Sequence, residues 1–222
     1  MSFGLSRGRT LDPTGSGLRG ADLPPFEEGV PRIDPRSWYA DPARPFELEI
    51  GSGKGTFLVQ QGELQPDVNF LGIEWAGEFW RYAADRLRRR ALTNVKVLHG
   101  DATEFIRYRL ASGVCRVVHL YFSDPWPKTR HHKRRVVQDR TLAEFHRVLV
   151  PGGEVRIVTD HDDLWAWTEA HVARHADLFE RRPFEAPASA GTGEIVGTNF
   201  ERKYRREGRP FHGMTIVRRE TT

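Results

Sequence analysis

The sequence predicts an α/β fold: a mostly parallel, twisted sheet with helices on both faces. Three observations predict it. From Phe46 onward, short apolar runs of strand length alternate with longer segments of helical period. The repeated strand–helix–strand order requires right-handed crossovers and hence parallel neighbours. An acidic residue stands at the tip of each expected strand, where folds of this kind bind ligands beyond the carboxyl ends.

In chain order, residues 1–45 are rich in Gly, Pro and Arg and have no sustained apolar period. They are expected to form an irregular basic arm with short helical turns. A single domain is expected over 46–222. Its strands are expected at Phe46–Ile50, Asn69–Glu74, Val95–His99, Arg116–Phe122 and Glu154–Thr159. Helices are expected at Lys54–Leu64, Glu78–Leu92, Thr103–Leu110 and Val136–Val150, with Leu164–His175 after the fifth strand. In the segment 136–150, Leu142, Phe145, Val148 and Leu149 fall at helical spacing, and Pro151-Gly152-Gly153 is the expected stop.

Composition narrows the class. A chain of 222 residues is long enough to bury a core without staples. The single cysteine, Cys115, lies in an apolar run, which excludes an intramolecular disulfide framework and leaves no basis for a cysteine zinc site. No segment has the apolar length of a signal peptide or a membrane span, so a cytoplasmic protein without membrane partners is expected. The net charge of +4 is modest. The clustering of the basic residues matters more, and it points to a polyanionic partner.

The acids define the expected ligand. Glu49 runs into Gly51-Ser52-Gly53-Lys54-Gly55; Glu74, Asp101, Asp124 and Asp160 follow at the next four strand ends. One such acid alone is adequately explained as a helix N-cap. Five at one topological position describe a crevice. A carboxylate about 20 residues past a glycine turn suits the two hydroxyls of a ribose, which is the place of Glu74. Asp101-Ala102 are placed to accept from an adenine amino group. So many carboxylates repel phosphate and favour an adenosine carrying positive charge, such as a sulfonium with an amino acid tail. A kinase-type phosphate loop fails on spacing, because its first glycine would fall at Leu48. The G-x-G-x-x-G of a dinucleotide fold meets Thr56 at its sixth position, a milder departure.

After the fourth strand comes Asp124-Pro125-Trp126-Pro127-Lys128, then Arg130-His131-His132-Lys133-Arg134-Arg135. Two prolines stiffen the loop and hold a carboxylate and a flat ring in place. The basic run suits phosphate contact, although a solvated connection ahead of a helix would also be charged. The adjacent histidines have no partner at ligand spacing, so no metal is expected. Near the C-terminus, Thr198-Asn199-Phe200-Glu201 has the form of a capping box and leads into a second basic block, Arg202–Arg209.

At these residues the chain resembles the bacterial tRNA (guanine-N7)-methyltransferase family, over roughly Phe46 to Val217. The resemblance is carried by the segments at 49–55, 72–74, 100–102, 124–128, 130–135, 159–160 and 198–201. The combination of Asp-Pro-Trp-Pro-Lys, the basic run and Thr-Asn-Phe-Glu is its most specific part. It implies a Rossmann-like class I methyltransferase that uses S-adenosyl-L-methionine and acts on a guanine of the tRNA variable loop. It further implies that Glu49, Gly51, Gly53, Glu74, Asp101, Ala102 and Asp124 contact the cofactor, with Asp124 also at the catalytic centre. Lys128, Asp160, Thr198, Asn199, Phe200 and Glu201 would contact substrate; Arg130, Lys133, Arg134 and Arg135 would touch RNA. Ser52, Thr129 and His132 depart from the commoner spellings of the family. Two other readings compete: a nucleotide-dependent oxidoreductase, and a non-catalytic RNA-binding module with a degenerate pocket. Monomer and homodimer both remain open.

Overall fold

The computed structural model describes residues 8–220, which divide into two compact units, one ending at Leu110 and the other beginning at Ala111. In the first, strands β1 (Gly17–Arg19), β2 (Phe46–Ile50), β3 (Asn69–Glu74) and β4 (Val95–His99) lie in the order β1-β4-β3-β2, all parallel. Helix α1 (Thr56–Leu64) links β2 to β3, and α2 (Gly77–Arg89) links β3 to β4. All five residues of β2 and five of the six in β3 are buried, as expected of parallel strands covered on both faces. Leu58, Phe70, Trp80, Leu87 and Val97 form the centre of the packing between sheet and helices. Each buried side chain of this size contributes about 1.5–3 kcal/mol relative to exposure.

β2, β3 and β4 have the expected bounds. No strand is expected before Phe46, yet Gly17–Arg19 pairs with Val97–His99 at the sheet edge. The rest of 8–45 is irregular, with 3-10 turns at Gly20–Asp22 and Pro35–Trp38, and it is pinned. Arg9 Nη2 donates to Asp85 Oδ2 at 2.8 Å, Tyr39 Oη to Phe70 O at 2.7 Å, and Arg109 Nη1 to Pro24 O at 2.9 Å. These partners are distant in sequence, so local composition carries no trace of them. The expected helix over Thr103–Leu110 is one turn of α-helix, α3 (Ala102–Glu104), followed by a π-helical turn, Phe105–Arg109, whose wider winding lets Leu110 N–H reach Phe105 O.

In the second unit β5 (Cys115–Tyr121) pairs parallel with β6 (Leu149–Thr159). β6 then pairs antiparallel with β8 (His212–Arg218), and β8 antiparallel with β7 (Phe179–Pro183). Helices α4 (Asp139–Val148) and α5 (Asp162–Arg174) flank β6 in sequence, and α6 (Asn199–Arg206) precedes β8. Three expectations are corrected here. α4 starts at Asp139 rather than Val136, because Arg135–Gln138 remain extended or turn. The glycine-rich stop begins β6 five residues early, at Leu149, through a register shift opposite Cys115–Val117. β7 and β8 add antiparallel pairs that a strand–helix rhythm does not announce.

Candidate functional site

In the first unit the loop after β2 is built for close packing. Gly51, Gly53 and Gly55 have φ of 76°, 53° and 65°, the left-handed region where glycine is unstrained. Gly51 N–H and Ser52 N–H both donate to Ile73 O (2.8 and 3.2 Å), and Gly53 N–H donates to Glu74 Oε2 at 2.7 Å. Three successive amides are thus committed within the protein, whereas a phosphate cradle would leave them pointing at its ligand. The loop also presses on β3: a Cβ at Gly72 would lie 2.4 Å from Leu58 Cδ1 and 2.8 Å from Ser52 Oγ.

Two carboxyl groups lie beside this loop. Glu74 is held at both oxygens, Oε1 accepting from Ala76 N–H at 2.8 Å and Oε2 from Gly53 N–H. Glu49 is 5% exposed, and its Oε2 has no hydrogen-bond partner. Burial, and then the negative charge of Glu74, push the Glu49 carboxyl up to about 8. A buried carboxyl without a partner is costly unless a donor or cation completes it. The arrangement suits a cationic ligand and disfavours an anionic one.

A cavity of about 370 Å³ lies at the ends of β3 and β4 in the same unit. Its lining includes Trp75, His99, Gly100, Asp101, Phe105 and, from the segment before β2, Gly20. Asp101 caps α3: its Oδ1 accepts from Thr103 N–H at 2.8 Å and Glu104 N–H at 3.1 Å. Ala102 follows as the first residue of that helix. Trp75 is 73% exposed on the cavity wall. Neither it nor Gly20 is anticipated from the sequence. The available signal was a tryptophan directly after the acid of β3, a large apolar side chain placed at a ligand-binding end.

The second unit carries the Asp124 loop. Phe122 (φ 54°) and Trp126 (φ 44°) are non-glycine residues in the left-handed region, each costing about 1–3 kcal/mol. Such strain persists only where surroundings impose it. Here Phe122 N–H is fixed to Val158 O at 2.8 Å, and Arg135 Nε donates to Pro125 O at 2.9 Å. Asp124 is exposed at the tip, and Trp126 is covered by the Arg134 guanidinium, 4.8 Å from its ring centroid.

The basic run forms a 3-10 turn, Thr129–Arg134, with Lys128 before it. Lys128, Arg130, Lys133 and Arg134 are exposed. Arg135 is the correction: it is 1% exposed, ion-paired with Asp163 and stacked over Trp167 at 5.0 Å. It positions the loop and has no surface with which to meet RNA. Sequence cannot separate it from Arg134, because both are arginines in one charged run.

Asp160 follows β6, and its Oδ2 accepts from Arg209 Nη1 at 2.7 Å. Thr198 caps α6, its Oγ1 accepting from Glu201 N–H at 3.2 Å. Glu201 is 0% exposed; its carboxylate accepts from Val196 and Gly197 N–H (both 2.8 Å) and from Ile195 N–H, and pairs with Arg205. It therefore organises the 195–198 turn. Phe200 is 47% exposed, and the side chain of Asn199 is not among those described.

Residues 43–214 match the family model described as "Putative methyltransferase". The tRNA (guanine-N(7)-)-methyltransferase of Nitrobacter hamburgensis is 34% identical over 93% of this chain and 82% of its own length. That of Geobacillus kaustophilus is 32% identical over 79% and 80%. Among solved structures, the aminoglycoside resistance methyltransferase NpmB1 matches with a TM-score of 0.57 at 17% identity, covering 90% of this chain and 98% of that one. A methyltransferase from Aquifex aeolicus, described as SAM dependent, matches at 0.51 and 13% identity, covering 78% and 81%. These structural likenesses show a shared fold, the Rossmann-like α/β fold of class I methyltransferases. The chain belongs to the bacterial tRNA (guanine-N7)-methyltransferase family.

Proposed function

We propose that this protein transfers a methyl group from S-adenosyl-L-methionine to N7 of a guanine in the variable loop of tRNA. The observation that carries the cofactor is Glu49, a buried carboxyl lacking a partner at Oε2 beside a loop whose amides are already used. A cationic adenosyl compound supplies the missing positive charge, and a pyrophosphate would not. Glu49 and Glu74 would hold its polar parts. The cavity bounded by Trp75, Asp101 and Phe105 has the size and the flat apolar wall for adenine. When bound, the cofactor supplies an electrophilic methyl group on a sulfonium.

Guanine N7 carries an in-plane lone pair and no proton. No residue need act as a base, and the protein contributes position and electrostatics. The methylated base is cationic, so the Asp124 carboxylate, held by its strained loop, stabilises the charge that develops. Lys128, Arg130, Lys133 and Arg134 form an exposed cationic set suited to phosphates. The methyltransferase domain is taken to span 46–222, with the preceding segment tied to α2 and contributing β1 to the sheet.

The test is to incubate the protein with unmodified tRNA and methyl-labelled cofactor, then map the label. Label at N7 of a variable-loop guanine is the expected result. Transfer to another atom or nucleotide, or none, would reject the reading.

A further inference from the structure

Arg109, the last residue of the π-helical turn, holds the segment 20–33 at both ends. Its Nη1 lies within hydrogen-bonding distance of three carbonyl oxygens, those of Gly20 (3.3 Å), Leu23 (3.3 Å) and Pro24 (2.9 Å). Its backbone oxygen accepts from Ile33 N–H at 2.6 Å, where Ile33 bridges to Leu110. The segment thus leaves β1 and returns to the residue that latches its start. Most of it is exposed, and beyond the 3-10 turn at Gly20–Asp22 it has no helix or paired strand to fix its course. Phe26 adds a tilted contact with Tyr108 of the same π-helical turn, centroids 5.6 Å apart. An exposed loop with so few internal bonds opens at little cost unless something pins it, and here the guanidinium does so.

The pinned residues belong to a cavity. Gly20, Ala21 and Arg109 line the space of about 370 Å³ that Trp75, Asp101 and Phe105 also bound. Gly20 sits so close to the end of β4 that an added Cβ would come within 3.0 Å of His99 O. The pairing of Gly17–Arg19 with Val97–His99 delivers it there. We propose that Gly20–Pro24 is a wall of the adenine site, and that Arg109 is the positioning residue that keeps this wall in place. Arg109 acts through the wall, since its Nη1 is turned on the carbonyls of the segment. A wall made of backbone and small side chains closes the space around a flat base without adding charge to it. The segment ahead of Phe46 therefore takes part in cofactor binding. Linkage makes the effect reciprocal: a ligand in the cavity holds the segment down as the segment holds the ligand. The proposal rests on this cavity taking the adenine of S-adenosylmethionine, as argued above.

The experiment measures S-adenosylhomocysteine binding to the full chain by calorimetry, and hydrogen exchange of the segment with and without that ligand. Wild type is compared with Arg109→Ala, Arg109→Lys, Gly20→Val and Arg107→Ala. Arg109→Ala is expected to bind about tenfold more weakly, the result when the wall is in place about a tenth of the time. Arg109→Lys, with one ammonium group for three carbonyls, should recover part of the loss. Gly20→Val lifts the segment off His99 O with the latch intact, and it carries the test should Arg109→Ala not fold. Arg107, exposed with its guanidinium 4.9 Å from the Tyr108 ring, controls for loss of charge on the same turn, and its alanine variant should bind as wild type. In wild type the ligand should slow exchange at the amides of residues 20–23, and in Arg109→Ala that protection should vanish. The cofactor KM should rise in step with the loss of affinity while kcat at saturating cofactor is retained, which a general loss of structure would not produce. Wild-type affinity in folded Arg109→Ala and Gly20→Val, or exchange at 20–23 indifferent to ligand, overturns the proposal. Failure of wild type itself to bind sinks the cofactor reading, whereas tight binding by wild type and variants alike sinks only the wall.

Discussion

Arg135 Nε donates to the backbone oxygen of Pro125 at 2.9 Å, tying the last arginine of the basic run to the loop that carries Asp124. The remaining contacts of that guanidinium, with Asp163 and the face of Trp167, are equally internal. Neighbouring arginines in one run therefore have different duties. Arg134 lies over Trp126 at the surface, and Arg135 holds the loop from beneath.

This difference is measurable. Arg135→Ala takes the donor from Pro125 O and empties the space against Trp167, while Asp163 is left at the surface, and should cost about 1–3 kcal/mol of stability. It should lower turnover while leaving the salt dependence of tRNA binding unchanged. Arg134→Ala should reduce the slope of log affinity against log salt by about 0.7–0.9, one phosphate contact, with a small effect on melting temperature. Equal slopes for both variants would contradict the assignment.

Asp124 is exposed at the tip of its loop. Asp124→Asn should keep the melting temperature of wild type and lose about 10²–10³ in kcat, the usual cost of removing one group aimed at developing charge. Single-turnover methylation of tRNA reads the effect, and wild-type turnover would remove Asp124 from the catalytic centre.

Glu49 links cofactor binding to pH. Its carboxyl is raised to about 8 by burial and by Glu74, so the RNA-free, cofactor-free protein holds a proton there at neutral pH. A cationic ligand requires the ionised form. S-adenosylmethionine affinity should therefore climb from pH 6 to pH 8 by up to about tenfold per unit and level off above, with proton release on binding. Calorimetry in two buffers of different ionisation enthalpy measures that release. The sign for stability is opposite: a raised carboxyl costs stability as pH climbs from the ordinary glutamate value toward 8. Glu49→Gln should then stabilise the cofactor-free protein at pH 8 by roughly 1–3 kcal/mol while abolishing cofactor binding. A destabilised Gln variant would show that the carboxyl serves the fold.

Glu201 has the reverse behaviour. Burial opposes its ionisation, but the amides of Ile195, Val196 and Gly197 outweigh it and leave the carboxyl below its ordinary value. Its stabilisation is complete above the ordinary glutamate value and is lost as pH falls through the lowered one. Glu201→Ala should cost about 2–4 kcal/mol at pH 7 by orphaning buried amides, and much less under acid conditions. Chemical denaturation at pH 7 and pH 3 checks this, and a cost independent of pH would rule out the clamp.

Much of the parallel architecture is legible without coordinates. β2, β3 and β4 fall on the expected bounds, because apolar runs such as Phe46–Ile50 and Asn69–Glu74 can be buried on both faces only in a covered parallel sheet. β1, β7 and β8 are not legible in this way. Gly17–Arg19 has too few residues for a pattern and is a strand only because β4 offers an open edge. Phe179–Pro183 holds three charged residues and lies at the other edge, where pairing with β8 supplies the reason for its shape.

The acids and the cationic run announced by their types what they attract, since charge and hydrogen-bonding capacity belong to a residue wherever it sits. Composition and order alone thus determined the fold class, the expectation of a cationic adenosyl ligand and the expectation of a polyanion. Tertiary structure decided which members of each set remain free. Glu74, Glu201 and Arg135 are engaged by backbone groups that folding brings to them, whereas Glu49 keeps an oxygen unpaired and Arg134 keeps its surface. The reason is that availability depends on which partners lie within hydrogen-bonding distance, and those partners come from parts of the chain that only the packed fold makes neighbours.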